Sequence, residues 1–476
     1  MAGTTIMQWN SNGLKARKSE LENFLYNSEI KPNIICTQET FLKPHMNFDL
    51  DGYVTVRNDR IGRDKGGVAT FIQNGINYKI LPMLPDMEHI DIEIRNKNSG
   101  IVIRNVYFPP VYDITKAKLD PLFTGNNTII TGDMNAHSPL WNHTEPNKRG
   151  KLLEELMDEN NFVLINTGLP TYQKRSGGMN TLDLSIVSKR LSSKCQWDAH
   201  TETLGSDHIP TFIHINQELF NVEYEPNQRW NFNNAEWATF REKCNEAFSV
   251  DLRSQDIDKY YDNIRSAIIT SAEDSKPLTK TKRNIKKSLP YWNDSCTKAV
   301  TLRNRARCRM NKTWIIDDCI EYRRLKAIAQ RQLLAASRQH WQNYCNTLDS
   351  NTKLGSVWKM NRKMNGIITK TNIPTLTCNG QSSNTNTDKA NMLADSFELN
   401  SSDDNYRPAF LQHKLVCESV TNFSMDTSST LEKESDLNQT FAIHELKTAI
   451  HEMKSKSSPG PDKITYEMLK KIPDMS

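Results

Sequence analysis

The feature that most constrains this chain is the texture of its first 217 residues. Nine short runs there are β-branched or alternate apolar with polar residues: 4–9, 33–37, 68–72, 90–94, 101–108, 128–131, 162–165, 182–187 and 211–215. Such runs, punctuated by Gly, Asn and Pro, predict strands and turns. Segments 15–26 and 151–159 instead place Leu, Phe and Met at helical spacing. Many strands with interspersed helices imply a layered α/β or α+β domain. After residue 217 the texture changes. Residues 232–275 and 293–348 are helical in pattern, and 322–344, free of Gly and Pro, predicts one long helix. Residues 366–440 are rich in Ser, Thr and Asn and are expected to be poorly ordered. A short helix is predicted over 442–453.

Length and composition bound the answer. The 476 residues exceed one ordinary domain, at roughly 100–200 residues each. With 37% hydrophobic and 25% charged residues and a mean hydropathy of −0.66, the chain is polar but foldable. No apolar run reaches the ~18 residues of a spanning helix, so a membrane role is not expected. Nine cysteines without a C-x-x-C pair disfavour a disulfide framework and a zinc knuckle. An intracellular setting fits best. Charge is uneven. Residues 1–217 carry 23 basic against 24 acidic residues, whereas 276–345 carry 17 against 4. The second block is a candidate polyanion-binding surface. Arg303, Arg305, Arg307 and Arg309 alternate there, with Trp292, Trp314, Tyr322 and Trp341 available for stacking.

Candidate chemistry sits where the predicted strands end. The strings are Trp9-Asn10-Ser11-Asn12-Gly13, Gln38-Glu39-Thr40, Tyr107-Phe108-Pro109-Pro110, Thr131-Gly132-Asp133-Met134-Asn135-Ala136-His137 and Gly205-Ser206-Asp207-His208-Ile209-Pro210. Asp183 lies within an otherwise apolar strand. These residue types suit metal-assisted phosphodiester hydrolysis. Glu39 offers an oxygen ligand to a hard ion such as Mg²⁺. Asp133 can orient or deprotonate water. Asn10 and Asn135 can hold a phosphate oxygen without adding repulsion. His208 can donate to phosphate or take a proton, with Asp183 fixing its tautomer. Tyr107 can place a hydroxyl on developing charge.

That ordered set resembles the endonuclease/exonuclease/phosphatase superfamily over about residues 4–217. The resemblance implies a two-sheet α/β sandwich of the deoxyribonuclease I type and a Mg²⁺ cofactor, with Mn²⁺ as the alternative ion. It implies catalytic roles for Tyr107, Asp133, Asn135, Asp183 and His208. It places Asn10 and Asn135 on the substrate phosphate, and Glu39, Asn10 and Asp207 at the metal. The strings Asn105-Val-Tyr-Phe-Pro-Pro110, Asn135-Ala-His-Ser-Pro-Leu-Trp141 and Gly177-Gly-Met-Asn-Thr-Leu-Asp183 resemble the endonuclease of jockey-like non-LTR retrotransposons. Downstream, Leu289-Pro-Tyr-Trp292 with Cys296, and Ser356-Val-Trp-Lys-Met-Asn-Arg-Lys-Met364, resemble the connector of such polyproteins. Ser457-Ser-Pro-Gly-Pro-Asp-Lys-Ile464 resembles the start of their reverse transcriptase, with Lys463 where the family has Gly.

The expected organisation is an endonuclease-type domain at 1–220, a mainly helical basic connector at 221–365, a polar stretch at 366–440 and the start of a reverse transcriptase at 441–476. A polymerase needs paired aspartates for its metal ions. No Asp-Asp follows residue 440, and Asp403-Asp404 precedes the Pro-Gly-Pro turn. The chain therefore reads as a truncated copy or fragment without polymerase activity. The resemblance implies an enzyme that nicks DNA, leaves a 3′-hydroxyl to prime reverse transcription, and acts in the nucleus after transit through the cytoplasm. Element RNA is a further expected partner, through 276–345. The alternatives are an apurinic-site repair nuclease, a phosphoinositide phosphatase, or a catalytically idle nucleic-acid-binding fragment.

Overall fold

The computed structural model describes residues 3–216 apart from 30, 96–99, 112–113 and 175–177; 232 and 235–275; 289–364 apart from 351; 376–378, 381–383 and 386–421; and 440–473 apart from 441, 456, 458 and 461. Gly177 and residues 276–288, with six of the 17 basic residues of the basic block, lie outside the described residues.

In chain order the N-terminal part forms β1 (Thr4–Asn10), α1 (Leu14–Asn27), β2 (Ile34–Gln38), β3 (Tyr53–Asn58), β4 (Val68–Gln73), β5 (Tyr78–Ile80), β6 (Glu88–Arg95), β7 (Gly100–Tyr107), α2 (Lys116–Leu119), β8 (Thr128–Asp133), α3 (Lys148–Asn160), β9 (Phe162–Leu164), β10 (Tyr172–Gln173), β11 (Met179–Asn180), β12 (Asp183–Ser188), α4 (Lys189–Ser192), β13 (Cys195–Ala199) and β14 (Thr211–Ile215). All nine expected strands are present to within two residues. The short β3, β5, β10, β11 and β13 were not anticipated.

Two mixed six-stranded sheets result, in orders β13-β14-β1-β2-β4-β3 and β5-β6-β7-β8-β12-β9. Alternate residues of each strand face the space between them. There Ile6, Ile34, Cys36, Val68 and Ile72 of the first sheet pack against Ile92, Ile94, Ile101, Ile103 and Ile129 of the second. The outer faces are covered by helices. Leu14, Leu21 and Leu25 of α1 meet Met7, Trp9 and Phe71, while Leu153, Leu156 and Met157 of α3 meet Val106, Ile130 and Ile186. Burial on both faces is why β1, β8 and β12 have no exposed residue. This is the expected α/β sandwich.

The inner faces change character along the strands. The series Ile6, Gln8, Asn10 of β1 turns from apolar to polar toward one end. So do Cys36 and Gln38 of β2, Ile103, Asn105 and Tyr107 of β7, and Ile129, Thr131 and Asp133 of β8. Register aligns these ends: Asn10 with Gln38, Tyr107 with Asp133, and Asp133 with Asp183. One end of the sandwich is thus dry and the other is a buried polar floor.

The chain forms two compact units, one of residues 1–224 with 286–395 and the other of 225–285 with 396–476. The second unit contains α5 (Trp237–Phe248) and α6 (Ile257–Ser275), whose Phe240, Cys244, Ile268 and Ala272 pack with Met468. In the first unit, α7 (Asp294–Thr313) and α8 (Ile316–Asn346) form a hairpin, followed by α9 (Leu354–Met364). Within 366–440, the described residues include helices α10 (Asn386–Ser401) and α11 (Pro408–Thr421), where poor order was expected. Further on, α12 (Ile443–Glu452) falls where a helix was predicted. Lys463 has φ +62°, the left-handed conformation that Gly, the family residue, adopts without steric cost. No helix among the described residues is long and apolar enough to cross a membrane.

Candidate active site

The polar end of the sandwich gathers the residues singled out from sequence into one connected set. Asp133 ends β8 and is buried. Its Oδ2 accepts from Asn10 Nδ2 at 2.8 Å and its Oδ1 from the Asn135 backbone N–H at 3.1 Å. Asp183, at the start of β12, accepts from His208 Nδ1 at 2.8 Å through Oδ2 and from Gln8 Nε2 at 2.7 Å through Oδ1. His208 Nε2 lies 3.9 Å from Asp133 Oδ2, too far for a hydrogen bond. Tyr107 donates its hydroxyl to Glu39 Oε1 at 2.6 Å. Asp207 Oδ1 accepts from Asn12 Nδ2 at 2.9 Å, and the Asn12 backbone N–H in turn donates to Asn10 Oδ1. Asn135 Nδ2 donates to the carbonyl of Phe108 at 3.0 Å, which spends one of its two N–H groups.

Local backbone geometry follows from function-bearing loops being over-determined by their neighbours. Asn12, Glu39 and Asn135 all hold positive φ, between +44° and +46°. Gly132 has φ +154°, and a Cβ there would lie 1.8 Å from the Val106 carbonyl oxygen. Glycine is therefore required for β8 to approach β7 just before Asp133. Asn147 caps α3 by accepting from the Gly150 N–H, and the same side chain holds the backbone of His137 and Asn135.

Electrostatics in this floor are set by burial among several acids. Burial pushes the Asp133 carboxyl up, with Asp183 and Glu39 adding to it, against the opposing pull of His208 and Asn10. For His208 burial acts downward, but the carboxylate of Asp183, then Asp133 and Asp207, outweigh it and push the imidazole up to about 10. Burial also opposes the charge on Asp207, yet His208, Asn12 and Lys326 together hold it below the usual carboxylate range. Burial and Glu39 keep the Tyr107 phenol protonated.

Several members have no role assigned from sequence, although Gln38 and Asn105 stand in strings singled out there. Gln8 also donates to Gln38 Oε1, Gln38 to Asn105 Oδ1, and Asn105 to the carbonyl of Ala69, forming a chain that joins the sheets beneath the acids. Thr171 Oγ1 accepts from the backbone N–H groups of Leu182 and Asp183. Tyr172 packs on His208 with ring centroids 4.7 Å apart. Arg60, bonded to Glu88, lies 5.8 Å from the centroid of the Tyr107 ring. For Gln8, Gln38 and Asn105 the available signal is the period-two switch from Ile or Cys to Gln or Asn on the inner faces of β1, β2 and β7.

One group of sequence expectations needs correction. Arg303, Arg307 and Tyr322 were put forward as nucleic-acid contacts but are buried in protein. The alternation of the arginines was read along the chain, whereas on a helix residues i and i+4 share a face. Arg303 and Arg307 therefore turn inward together, and Arg305 and Arg309 face solvent.

Residues 101–212 match the Exo_endo_phos_2 family, described as Endonuclease-reverse transcriptase. The RNA-directed DNA polymerase from mobile element jockey of Drosophila melanogaster is 22% identical over 98% of this chain and 50% of its own length. The chain resembles a jockey-like retrotransposon polyprotein. Its Drosophila funebris counterpart is 26% identical over 42% of this chain and 22% of its own. The chain thus spans about half or less of the length of these relatives. Among solved structures, the endonuclease domain of TRAS1, a telomere-specific non-LTR retrotransposon, is 19% identical over 45% of this chain and 99% of its own, with a TM-score of 0.39. Over 101–212 the sandwich thus resembles the endonuclease part of retrotransposon polyproteins.

Proposed function

We propose that this domain is a divalent-metal-dependent DNA endonuclease that nicks one strand of target DNA and leaves a 3′-hydroxyl from which reverse transcription is primed. The observation that carries the reading is the convergence of Asp133, Asp183, His208, Asn10 and the Glu39–Tyr107 pair at one end of the sandwich. Glu39 is half-buried, and only Oε1 is engaged by Tyr107. Its other oxygen is the ligand this reading offers to Mg²⁺, or Mn²⁺, which takes one or two carboxylates and keeps several waters; Asp207 and Asn10 are the further ligands the reading requires. Among the described residues no three His, Cys, Asp or Glu side chains lie together so as to hold a metal ion, so waters and substrate oxygens would have to complete the coordination. When bound, such an ion supplies Lewis acidity at the scissile phosphate.

The chain's own residues supply the rest. Asp133, held by Asn10 and the Asn135 N–H, is raised toward neutral pH by burial and is placed to orient and deprotonate a water. His208 is protonated at neutral pH. With Nδ1 committed to Asp183, it presents Nε2–H to a non-bridging phosphate oxygen, stabilising charge that grows in the transition state. The second N–H of Asn135 holds the phosphate without adding negative charge. Tyr107 stays a neutral donor and fixes Glu39. Duplex DNA is the partner, and the nucleus the compartment, that this reading requires.

The test is conversion of supercoiled plasmid to open circle by the full chain with Mg²⁺, with EDTA, and with Asp133→Ala. Nicking is expected with Mg²⁺ alone, and Asp133→Ala should lose about 10²–10³-fold in rate. Plasmid binding without metal-dependent nicking, or a wild-type rate in folded Asp133→Ala, overturns the reading.

A further inference from the structure

The hairpin of α7 and α8 meets the sandwich at the strip of chain that carries Asp207 and His208. Arg303 of α7 is 1% exposed, and its Nη1 lies 2.6 Å from Glu20 Oε1 of α1, whose side chain is 6% exposed. One turn on, Arg307 donates to the carbonyl of Thr201. Asn311 Oδ1 accepts from Gln173 Nε2 at 3.0 Å, and the Gln173 backbone N–H donates to the Asp207 carbonyl at 2.9 Å. From α8, Lys326 Nζ lies 3.5 Å from the Ser206 carbonyl, 120 residues away in sequence, and its charge bears on Asp207. Tyr322 is buried in the same seam. Gly205, with φ +84°, lets the loop close on α1, since a Cβ there would fall 2.4 Å from Glu20 Oε1.

The strip is therefore gripped on two sides by one helical hairpin. Ser206 is the central piece. Its hydroxyl donates to the Asn10 carbonyl at 2.8 Å and accepts from the His208 N–H at 3.2 Å, so a shift of this residue is passed to both Asn10 and His208. Loops bearing site residues are ordinarily among the least stable parts of a fold. Here the restraint comes from a segment that sequence alone assigns to a connector.

We infer that the α7–α8 hairpin is a positioning element of the nuclease site, acting in cis, and that Lys326 is a positioning residue that holds Ser206 and Asp207 in place. For its activity arm the inference rests on the nuclease reading above; its structural arm does not. The alternative is that the hairpin only covers apolar surface. In that case Lys326 contributes to stability and nothing more.

The experiment uses the full chain. Lys326→Met is compared with Lys326→Arg, and with Arg324→Met on the exposed side of α8 as control; Lys326→Gln replaces the methionine variant should that one not fold. Backbone amides of 204–209 are followed by hydrogen exchange, and plasmid nicking is followed with Mg²⁺. In Lys326→Met those amides should exchange about tenfold faster, as loss of one charged hydrogen bond allows, while β1 and β8 keep their protection. The rate kcat should fall about 10- to 100-fold, the usual cost of losing support behind a site carboxylate, at unchanged KM for DNA. Lys326→Arg should recover most of both, and Arg324→Met should match wild type. Unchanged exchange at 204–209, a uniform rise across all strands, or equal loss in the Arg and Met variants overturns the inference. If the wild-type chain does not nick plasmid but the exchange pattern responds as expected, the nuclease reading falls and the positioning role stands.

Discussion

Two clusters of charged residues in the first unit differ in sign. At the polar end of the sandwich, Asp133, Asp183 and Asp207 share one imidazole, His208, and Glu39 adds its charge beside Asp133. Beneath the hairpin, Arg17, Arg303 and Lys326 gather about Glu20, with Asp207 at the junction of the two sets. In this second set the carbonyls of Ser206 and Thr201 accept from Lys326 and Arg307, while Arg17 Nε and Nη1 are buried without a hydrogen-bond partner. The acidic set is held by neutral donors, Asn10 on Asp133, Gln8 on Asp183, Asn12 on Asp207 and Tyr107 on Glu39, with His208 as the cation that bears on Asp133, Asp183 and Asp207 together. It is the set that the proposed nuclease reading pairs with an outside cation and a phosphate.

The largest expected effect tests the supporting cluster. Arg303→Met leaves Glu20 buried without its partner and should destabilise the full chain by about 3–5 kcal/mol in urea unfolding. Adding Glu20→Gln should return much of that loss. An unchanged midpoint for Arg303→Met would dissolve the distinction between the clusters.

The acidic cluster should behave in the opposite sense. Glu39→Gln removes one of four crowded acids and is expected to leave stability unchanged or slightly raised without metal. In wild type, Mg²⁺ at a hundred times its Kd should add about 2.7 kcal/mol. Most of that gain should vanish in Glu39→Gln. Equal Mg²⁺-induced shifts in melting temperature would remove Glu39 from the cation site.

Smaller is the effect of Asn147→Ala, which lies outside both clusters but tethers the Asn135 loop to the cap of α3. A loss of about 1 kcal/mol is expected from thermal unfolding, together with a lower nicking rate. Loss of stability at a wild-type rate would separate the cap from the site.

The smallest effect concerns the other face of α7. If Arg305 touches a phosphate, Arg305→Met should lower the slope of log K against log[salt] by about 0.9, uniformly across sequences. Arg303→Met should leave that slope alone because its guanidinium is spent on Glu20. Identical slopes for wild type and Arg305→Met would take this face off the list of DNA contacts.

Much of the sandwich was legible in the chain because its strands carry their own signal. Ile and Val at alternate positions in 90–94 and 101–108 can be buried on one face only as strands. The site acids were legible for a related reason: Asp133 and Asp183 interrupt apolar runs that a solvated surface would not need. The support beneath them was not. Gln8, Gln38 and Asn105 look like ordinary polar punctuation until the sheets face each other and join them into one chain of hydrogen bonds. Strands β10 and β13 escaped because two to five half-exposed residues show no periodicity.

Local pattern by itself determined nine of the fourteen strands described in the N-terminal part and its longer helices, where the texture changes near residue 217, and which residue types wait at strand ends. These depend on neighbours two to four positions apart, and such spacings are written in the sequence. Only the tertiary structure decided that Asp183 meets His208, that Tyr107 meets Glu39, and that Arg303 and Lys326 serve the sandwich rather than face solvent. Those pairings join residues 25 to 283 positions apart. Which face of a helix is buried depends on what packs against it, and the amphipathic pattern of α7, with charge on both sides, left that choice to the fold.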